Sequence, residues 1–477
     1  MFLEPVIGLE VHVQLNTKTK IFCGCSTTFK SDPNTQTCPV CLGLPGVLPV
    51  LNEEALKKII MAGIALNSTI SHYSKFDRKN YFYPDLPKAY QISQYDKPIC
   101  VGGFITVTTG NGTKKIGITR LHLEEDAGKS IHSDDPLKRE SYINFNRTGV
   151  PLAEIVSEPD ISTPDEAYEY LRNLKTIMKY IDVSDCNMEE GSLRCDVNIS
   201  LREKGSAKLG EKVEIKNLNS FKAVKMAIEY EIGRQKNLID DGNTIVQETR
   251  LWDSNRNETF SMRSKEEAND YRYFPDPDLA PIVLNDDYIA SIRESLPELP
   301  DAKYSRFIAQ YGLPEYDAQV LTSSRQLAEY YESVVKNGVN SKKASNWIMS
   351  EMLAKVADID DIASFSIIPQ RLASLLKLID NGTISGKIAK TVFDEMILTG
   401  DDPMKIINEK GLVQMTNVGE IETIVDRVLA DNDASVRDYR NGRDKALKFL
   451  VGQVMKESKG KANPQIVNDL LLKKLQG

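Results

Sequence analysis

Two stretches near the start and middle of the chain alternate strictly between apolar and polar positions, as half-buried β-strands do. In GLEVHVQL (8–15) every odd-numbered residue is apolar, and every even-numbered residue is polar or glycine. In SLRCDVNISLR (192–202) the odd-numbered residues are apolar or cysteine and the even-numbered residues are polar. Each strand is therefore predicted to bury one face and to present a polar row on the other.

Two helices in the same region are indicated by their capping residues. Asn52 precedes Glu53 and Glu54, and apolar residues follow at positions 56, 59, 60 and 64. Gly63 falls on that buried face, where it would let a neighbouring element approach closely. The segment TPDE (163–166) is a capping box with proline at the first helical position. Strands alternating with long helices predict an α+β fold, an antiparallel sheet with helices on one face.

A change of pattern divides the chain. Beyond PELP (297–300) the sequence becomes helical almost throughout and aromatic residues become rarer. A weaker break lies at TGDDP (399–403). We therefore expect a catalytic cradle domain at 1–295, an all-α domain at 296–402 and a small helical tail domain at 403–477.

Composition and charge narrow the class of protein. The net charge of −8 excludes a protein that coats nucleic acid over its whole surface, so a polyanion would meet local basic patches. No window approaches the ~20 apolar residues of a membrane span, and the opening residues do not resemble a signal peptide. Seven cysteines, four of them close together, fit a reduced, cytoplasmic chain with a metal site better than a disulfide framework.

The four clustered cysteines lie in an insert at 22–42. Cys23 and Cys25 form one pair, Cys38 and Cys41 a second, and a polar loop joins them. Two close pairs that converge on one point are typical of a tetrahedral structural zinc site. All four positions are then filled, so no catalysis is assigned to the metal. The alternative is a set of buried free thiols.

Acidic residues and one histidine form a second candidate constellation. Glu10 and His12 project from the same face of the first predicted strand. Glu154 shares the parity of apolar neighbours at 152 and 156, and Glu125 that of leucines at 121 and 123, so each is expected on an apolar side in need of a partner or a metal. Further acids available to a hard cation such as Mg²⁺ are Glu124, Asp126 and Glu158. Taken singly, each acid is more often a solvated surface group.

The segment SKFDRKNYFYPDLPKAYQIS (74–93) mixes cations with aromatic rings and has no regular period. Its cations are suited to phosphates, and its rings to stacking on nucleobases. The alternative is a core of rings with an exposed basic rim. The tail 439–477 is also basic, with nine basic against three acidic residues; it suits a nucleic-acid grip or a solvated helical surface.

Several long motifs resemble those of the B subunits of bacterial tRNA-dependent amidotransferases, and the resemblance extends over essentially the whole chain. They are GLEVHVQL, KFDRKNYFYPDLPKAYQIS, RLHLEEDAGKS, PLAEIVSEPDI, MEEGSLRCDVNISLR and FLVGQVMKESKGKANPQ. The resemblance implies ATP-dependent phosphorylation of the side-chain carboxylate of Glu-tRNA(Gln) or Asp-tRNA(Asn), followed by amidation with ammonia. It also implies a catalytic domain similar to the glutamine synthetase fold.

The resemblance further implies roles for individual residues. The implied catalytic residues and Mg²⁺ ligands are Glu10, His12, Glu125 and Glu154. The nucleotide and the tRNA 3′ end would contact the polar or aromatic residues Lys75, Arg78, Lys79, Tyr81, Tyr83, Lys88, Arg194 and Asp196. The tRNA body would contact Lys456, Lys459 and Lys461 of the tail.

The implied partners are an amidase (the A subunit of such assemblies), which supplies ammonia from glutamine, a small C subunit and the misacylated tRNA. We find no glutaminase motif in this chain, which fits that division of labour. One competing hypothesis is a non-catalytic, zinc-containing protein that presents tRNA to another enzyme. A second is a synthetase-like enzyme that acts on a free amino acid.

Overall fold

The computed structural model describes residues 2–133, 140–264, 271–415 and 417–476. It divides into two compact units, Met1–Pro300 and Asp301–Gly477. The division falls close to the change of pattern from which the end of the first domain was expected. The two units are described separately.

The first unit is built on a large sheet. The strands of the whole unit, in chain order, are β1 (Leu3–Gln14), β2 (Thr69–Ile70), β3 (Tyr73–Ser74), β4 (Asp77–Asn80), β5 (Tyr90–Ser93), β6 (Cys100–Val101), β7 (Phe104–Thr109), β8 (Gly112–Glu125), β9 (Lys129–His132), β10 (Ser141–Asn144), β11 (Pro151–Ser157), β12 (Leu193–Glu203), β13 (Val213–Leu218), β14 (Glu248–Asp253), β15 (Glu258–Ser264), β16 (Phe274–Pro275) and β17 (Ile282–Val283). The large sheet runs in the order β15-β14-β13-β12-β1-β11-β8-β6-β2, and β7 pairs with β8. Its pairs are antiparallel except the parallel pair β13 and β14.

The helices of this unit are α1 (Pro39–Leu42), α2 (Glu53–Ala65), α3 (Pro164–Tyr180), α4 (Phe221–Asp240) and α5 (Asp286–Ser295). Of these, α2 and α3 begin where their capping residues predicted. The Asn52 side chain accepts from the amides of Glu54 and Ala55, and the Thr163 side chain accepts from the amide of Glu166. Both N-termini are therefore confirmed, and with the sheet they confirm the α+β class.

The core lies on the face of the sheet formed by the odd-numbered residues of β1 and β12. Val11, Val13 and Val197 are fully buried there. They belong to one apolar cluster with Leu171 and Leu174 of α3. The polar residues between them lie on the opposite face, so the alternation predicted for both strands is confirmed.

Strand β11 corrects one expectation. Ala153 and Ile155 belong to the core cluster, whereas Glu154 lies opposite His12 of β1 and opposite His122 of β8. Glu154 is therefore on the polar face of the sheet, and its assignment to an apolar side was wrong. The parity misled because this central strand carries apolar residues on both faces.

The second unit is helical, as predicted. Its helices are α6 (Pro300–Tyr311), α7 (Glu315–Leu321), α8 (Arg325–Lys336), α9 (Ser341–Trp347), α10 (Pro369–Asp380), α11 (Gly386–Thr399), α12 (Pro403–Glu409), α13 (Val418–Asp431), α14 (Asp433–Arg440), α15 (Lys445–Glu457) and α16 (Pro464–Gln476). A π-helical turn at Ile348–Met352 and 3₁₀ turns at Leu353–Lys355 and Ile359–Ser364 connect some of them. In the described ranges no helix is both long and apolar enough to cross a membrane.

Two apolar clusters organise the second unit. One extends from Phe307 to Ile407, and the other from Ile421 to Leu475. Helix α12 contributes Ile406 and Ile407 to the first cluster, although the tail domain was expected to begin at 403. Helix α12 therefore packs with the helices before it, because its buried isoleucines belong to their apolar cluster. The turn-forming residues just before the helix suggested a domain boundary that the packing does not follow. The division into three domains stays a prediction.

Gly63 of α2 lies where the helix meets β2 and β6. A Cβ at this position would lie 2.4 Å from Cys100 Sγ and 2.9 Å from Ile70 Cδ1. We expect Gly63→Ala to destabilise the chain by about 1–3 kcal/mol through overpacking. That cost exceeds the gain in helix propensity, which is at most about 1 kcal/mol. Urea unfolding followed by circular dichroism measures the difference.

Gly233 of α4 provides a matched control, because a Cβ there would meet nothing within 4 Å. Gly233→Ala should therefore stabilise the chain by about 0.5–1 kcal/mol. Equal stability changes in the two variants would show that α2 is not closely packed at Gly63.

Candidate active site

A cluster of carboxylates and imidazole lies on the polar face of the sheet, where β1, β11 and β8 are adjacent. His12 Nε2 lies 3.5 Å from Glu124 Oε1 and 3.4 Å from Glu154 Oε2. Their potential ligand atoms all lie within 4.8 Å of one another. An imidazole and two carboxylates at this spacing are able to hold a metal ion.

A second imidazole completes this cluster. His122 Nε2 lies 3.3 Å from Glu154 Oε2 and 3.7 Å from Glu124 Oε2, and the residue is 2% exposed. Burial opposes its charge, but Glu154 and Glu124 outweigh burial and raise the pKa of His122 to about 9. The same imidazoles hold the pKa of Glu154 well below its usual range, although burial acts in the opposite direction.

His122 and Glu124 are absent from the ligand set that the resemblance implies, although Glu124 is among the acids available from sequence. A signal for both is present in RLHLEED, where residues 122 and 124 alternate with buried leucines at 121 and 123. Strand parity therefore places His122 and Glu124 on the face opposite the core. The histidine is missed when only the acids of that strand are considered.

Glu10 and Glu125, two of the implied ligands, lie outside the group of His12, Glu124 and Glu154 whose potential ligand atoms are close together. Glu10 is on the same face of β1 as His12, and its Oε1 accepts from Asn198 Nδ2 at 2.8 Å. Glu125 is 2% exposed and holds Lys88 Nζ at 2.5 and 2.7 Å from its two carboxylate oxygens. The ligand roles of both acids stay predictions.

Three of the four cations in segment 74–93 are engaged by carboxylates. Besides Lys88, Lys75 Nζ lies 2.5 Å from Asp77 Oδ1 and 2.6 Å from Asp96 Oδ1. The guanidinium of Arg78 contacts aspartates, with Nε 2.7 Å from Asp276 Oδ2 and Nη2 3.0 Å from Asp278 Oδ2. To bind a phosphate, each of these cations would have to share or exchange its acidic partner.

Lys79 differs from the other three cations. Within the described part of the chain it has no ion pair, and its ammonium lies 4.8 Å from the ring centre of Tyr271 and 5.8 Å from that of Tyr81. Burial opposes its charge, but Glu124 and Glu154 help to raise the pKa of Lys79 above the usual range. This lysine therefore stays charged beside the carboxylate cluster without a bonded partner.

The aromatic residues of the segment are divided between core and surface. Phe76 is 2% exposed and packs edge-to-face on Phe22 at 5.3 Å. Tyr81 is partly buried, whereas Phe82 and Tyr83 are 82% and 55% exposed. The core alternative thus holds for Phe76 and in part for Tyr90, which is partly buried and packs against the core cluster, and the predicted contact of Tyr81 and Tyr83 with a nucleobase stays open.

Two further implied contact residues, Arg194 and Asp196, alternate on the polar face of β12. Arg194 Nη2 lies 2.7 Å from Asp126 Oδ2, and Asp196 Oδ2 lies 2.5 Å from Lys216 Nζ. Asp126 is buried, and Gln14 of β1 donates to it at 2.8 Å. The row therefore continues the polar face across β1 and β12.

The structure brings the four cysteines of the insert together. The sulfur atoms of Cys23, Cys25, Cys38 and Cys41 lie within 4.8 Å of one another, so the group could hold a metal ion. Hydrogen bonds from Cys23 and the Cys38 backbone, together with the Lys20 cation, lower the pKa of Cys41 to about 4 despite its burial. A thiolate is the form that binds metals.

The three tail lysines lie at and after the end of α15. Lys456 is in its last turn, and Lys459 and Lys461 follow in a turn before α16. Lys456 and Lys459 are exposed, as a grip on a nucleic-acid backbone requires. Their contact with tRNA stays a prediction.

Comparison with known proteins identifies the family of the chain. The family model described as "GatB/GatE catalytic domain" matches residues 5–290, and the one described as "GatB domain" matches residues 329–475. The B subunit of the aspartyl/glutamyl-tRNA(Asn/Gln) amidotransferase of Carboxydothermus hydrogenoformans is 57% identical over 474 residues, 99% of this chain and 98% of that protein. The proteins of the same name from Caldanaerobacter subterraneus and Geotalea daltonii are 58% and 57% identical over the full length of both chains. The chain therefore belongs to the family of aspartyl/glutamyl-tRNA(Asn/Gln) amidotransferase B subunits, as its motifs indicated.

Proposed function

We propose that this chain uses ATP to phosphorylate the side-chain carboxylate of glutamate or aspartate esterified to tRNA, and that ammonia then displaces the phosphate. The observation that supports this best is the cluster of His12, Glu124 and Glu154 with the unpaired Lys79 cation beside it. A metal ion held between these acids, together with the Lys79 ammonium, suits a transferring phosphoryl group, because phosphoryl transfer depends on positioning and charge neutralisation.

Magnesium fits the donor set of this cluster. The carboxylates of Glu124 and Glu154 supply hard oxygen donors, His12 adds a nitrogen, and Glu10 lies two residues along the same strand face. A bound Mg²⁺ would neutralise phosphate charge during transfer. Glu125 could join as the resemblance implies, but only by releasing Lys88.

The proposed reaction has two steps. In the first, an oxygen of the substrate carboxylate attacks the γ-phosphorus, the bond from phosphorus to the bridging oxygen breaks, and ADP leaves. Lys79 would contact the phosphoryl oxygens. In the second, ammonia attacks the acyl carbon of the acyl phosphate, inorganic phosphate leaves with the electron pair of the broken C–O bond, and the nitrogen loses a proton, giving Gln-tRNA(Gln) or Asn-tRNA(Asn).

The partners follow from this division. The relatives are named as B subunits, which implies an assembly of several different chains. We propose that an amidase partner provides ammonia from glutamine, that a small third chain completes a cytoplasmic heterotrimer, and that Lys456, Lys459 and Lys461 contact the tRNA body. We also propose that the cysteine group holds structural Zn²⁺, since four thiolates favour that ion.

The proposal is tested first by ATP turnover. We expect the chain, assembled with its amidase partner and the small third chain, to release ADP with Glu-tRNA(Gln) or Asp-tRNA(Asn) and not with Gln-tRNA(Gln) or free glutamate. A coupled ADP assay measures this. Equal turnover without misacylated tRNA would contradict the proposal, and tight tRNA binding without any turnover would support the non-catalytic, tRNA-presenting protein.

Glu124 and Glu125 are adjacent, and glutamine variants separate their roles. Glu124→Gln should lower amide formation roughly 100-fold and raise the Mg²⁺ concentration needed for half-maximal rate, because a ligand charge is lost. Glu125→Gln should lower the rate without changing the Mg²⁺ requirement, because it frees Lys88. Magnesium titrations of both variants, with tRNA affinity as the control, measure the difference.

The opposite pattern would return Glu125 to the ligand set. If Glu125→Gln raises the Mg²⁺ requirement while Glu124→Gln does not, then the ligands implied by the family resemblance are right. The metal site would then not be formed by His12, Glu124 and Glu154 alone.

The cysteine group is tested by metal content. Cys38→Ser should release zinc and lower the melting temperature, because metal binding in such sites is folding free energy. Cys195→Ser is the matched control: Cys195 is buried outside the group, so this variant should lower the melting temperature and keep its zinc. Unchanged metal in Cys38→Ser would sink the assignment.

A further inference from the structure

The turn that carries the second cysteine pair ends at a glycine in a left-handed conformation. Helix α1 contains Cys41 and closes at Gly43, with φ +67° and ψ 36°. The Gly43 amide donates to the carbonyl oxygens of Pro39 and Val40. The position of Gly43 is therefore fixed by the same turn that presents Cys38 and Cys41 to the proposed metal site.

Gly43 is also in close contact with a distant lysine. A Cβ at this position would lie 2.2 Å from Lys88 Cγ, 3.0 Å from its Cδ and 3.3 Å from its Cβ. These atoms are the middle of the side chain and not its mobile end. The absence of a Cβ is therefore needed here for packing as well as for the backbone conformation.

The ammonium at the end of the Lys88 side chain is held by an ion pair. Its ammonium lies 2.5 and 2.7 Å from the two oxygens of Glu125 and 5.3 Å from the ring centre of Tyr90. The side chains of Lys88 and Glu125 are 6% and 2% exposed. A buried carboxylate of this kind depends on its partner, because an unpaired buried charge is costly.

We propose that Gly43 is a positioning residue, through which the cysteine turn holds Lys88 on Glu125 beside the carboxylate cluster. Glu125 follows Glu124 directly in β8 and points to the opposite face, so a shift of its side chain reaches the proposed site of phosphoryl transfer through their shared backbone. The contact itself is independent of the reaction, and only its catalytic consequence rests on the proposed function.

A small cavity allows this contact to be broken without unfolding the chain. A void of about 30 Å³ is lined in part by Cys41, Gly43, Lys88 and Glu125. That is room for roughly two waters or for a shifted lysine stem. A methyl group at Gly43 should therefore push Lys88 into this space and away from Glu125.

Gly43→Ala tests the proposal, with Gly46→Ala as its matched control. Gly46 lies in the same loop at φ +86°, but a Cβ there would meet nothing within 4 Å. Both positions have a positive φ that disfavours a side chain, so a difference in Lys88 reactivity between the two variants reports the contact with Lys88. Metal content should stay equal in the two variants.

The direct readout is the acylation rate of Lys88 by an N-hydroxysuccinimide ester, followed by peptide mass spectrometry on the full chain. We expect about a tenfold faster reaction in Gly43→Ala, since the ammonium loses its charge-assisted hydrogen bonds. Gly46→Ala should leave the rate unchanged. Lys58, which is buried elsewhere in the first unit, provides the internal control.

The catalytic consequence is read from a double-mutant cycle in the assembled enzyme. Gly43→Ala should lower kcat for amide formation about tenfold more than Gly46→Ala does, and should add little to the loss caused by Lys88→Met, because both changes remove the same contact. If the double variant loses the product of the two single-variant factors in kcat, the two changes act independently and the positioning role is overturned.

The two proposals fail in different ways. Equal Lys88 acylation in the two alanine variants overturns the contact, whatever the enzyme does with ATP. Faster acylation with unchanged kcat overturns the catalytic consequence alone. If Gly43→Ala does not fold, the wild-type chain treated with a chelator replaces it: Lys88 acylation should rise while that of Lys58 stays constant, and parallel rises would overturn the link to the cysteine turn.

Discussion

The register of β1 is the constraint on which the rest of the site depends. This strand lies between β11 and β12, and His12 is paired with Glu154 on one side and with Arg194 on the other. Because side chains alternate with period two, a slip of one residue would put the imidazole into the core and the buried valines on the polar face. The apolar face therefore fixes the register, and the register brings the imidazole among acids that are far apart in sequence.

Bringing Glu124 and Glu154 together has an electrostatic cost, which explains why imidazoles and a lysine accompany these two carboxylates. Glu124 and Glu154 are 2% and 9% exposed, and two carboxylates so close would repel each other in a medium of low dielectric. His12 and His122 lie within 3.7 Å of these acids, and the acids also favour the charge of Lys79. The site is thus balanced by cations that are fixed by strands, and an added metal ion or phosphate changes the balance without rebuilding the sheet.

Local features of this fold could be predicted from sequence, and long-range choices could not. Strand parity and the caps at Asn52 and Thr163 depend on neighbouring residues, so the pattern contained them. The side occupied by Glu154 was misjudged because β11 is apolar on both faces. The choice between Glu124 and Glu125 depends on Lys88, which lies 37 residues away in sequence from Glu125, and no periodicity carries that information.

The mixture of cations and rings in segment 74–93 illustrates the same limit. From sequence, its four cations are equivalent candidates for phosphate, yet three are paired with carboxylates and thereby hold the segment to the rest of the first unit. A paired cation binds phosphate only by sharing or exchanging its acidic partner, so its net gain is small. Lys79 has no ion pair in the described part of the chain, and its ammonium lies over the rings of Tyr81 and Tyr271, whose faces stabilise a cation without neutralising it. The rings thus keep one charge available beside the carboxylates, which is the condition an incoming anion requires.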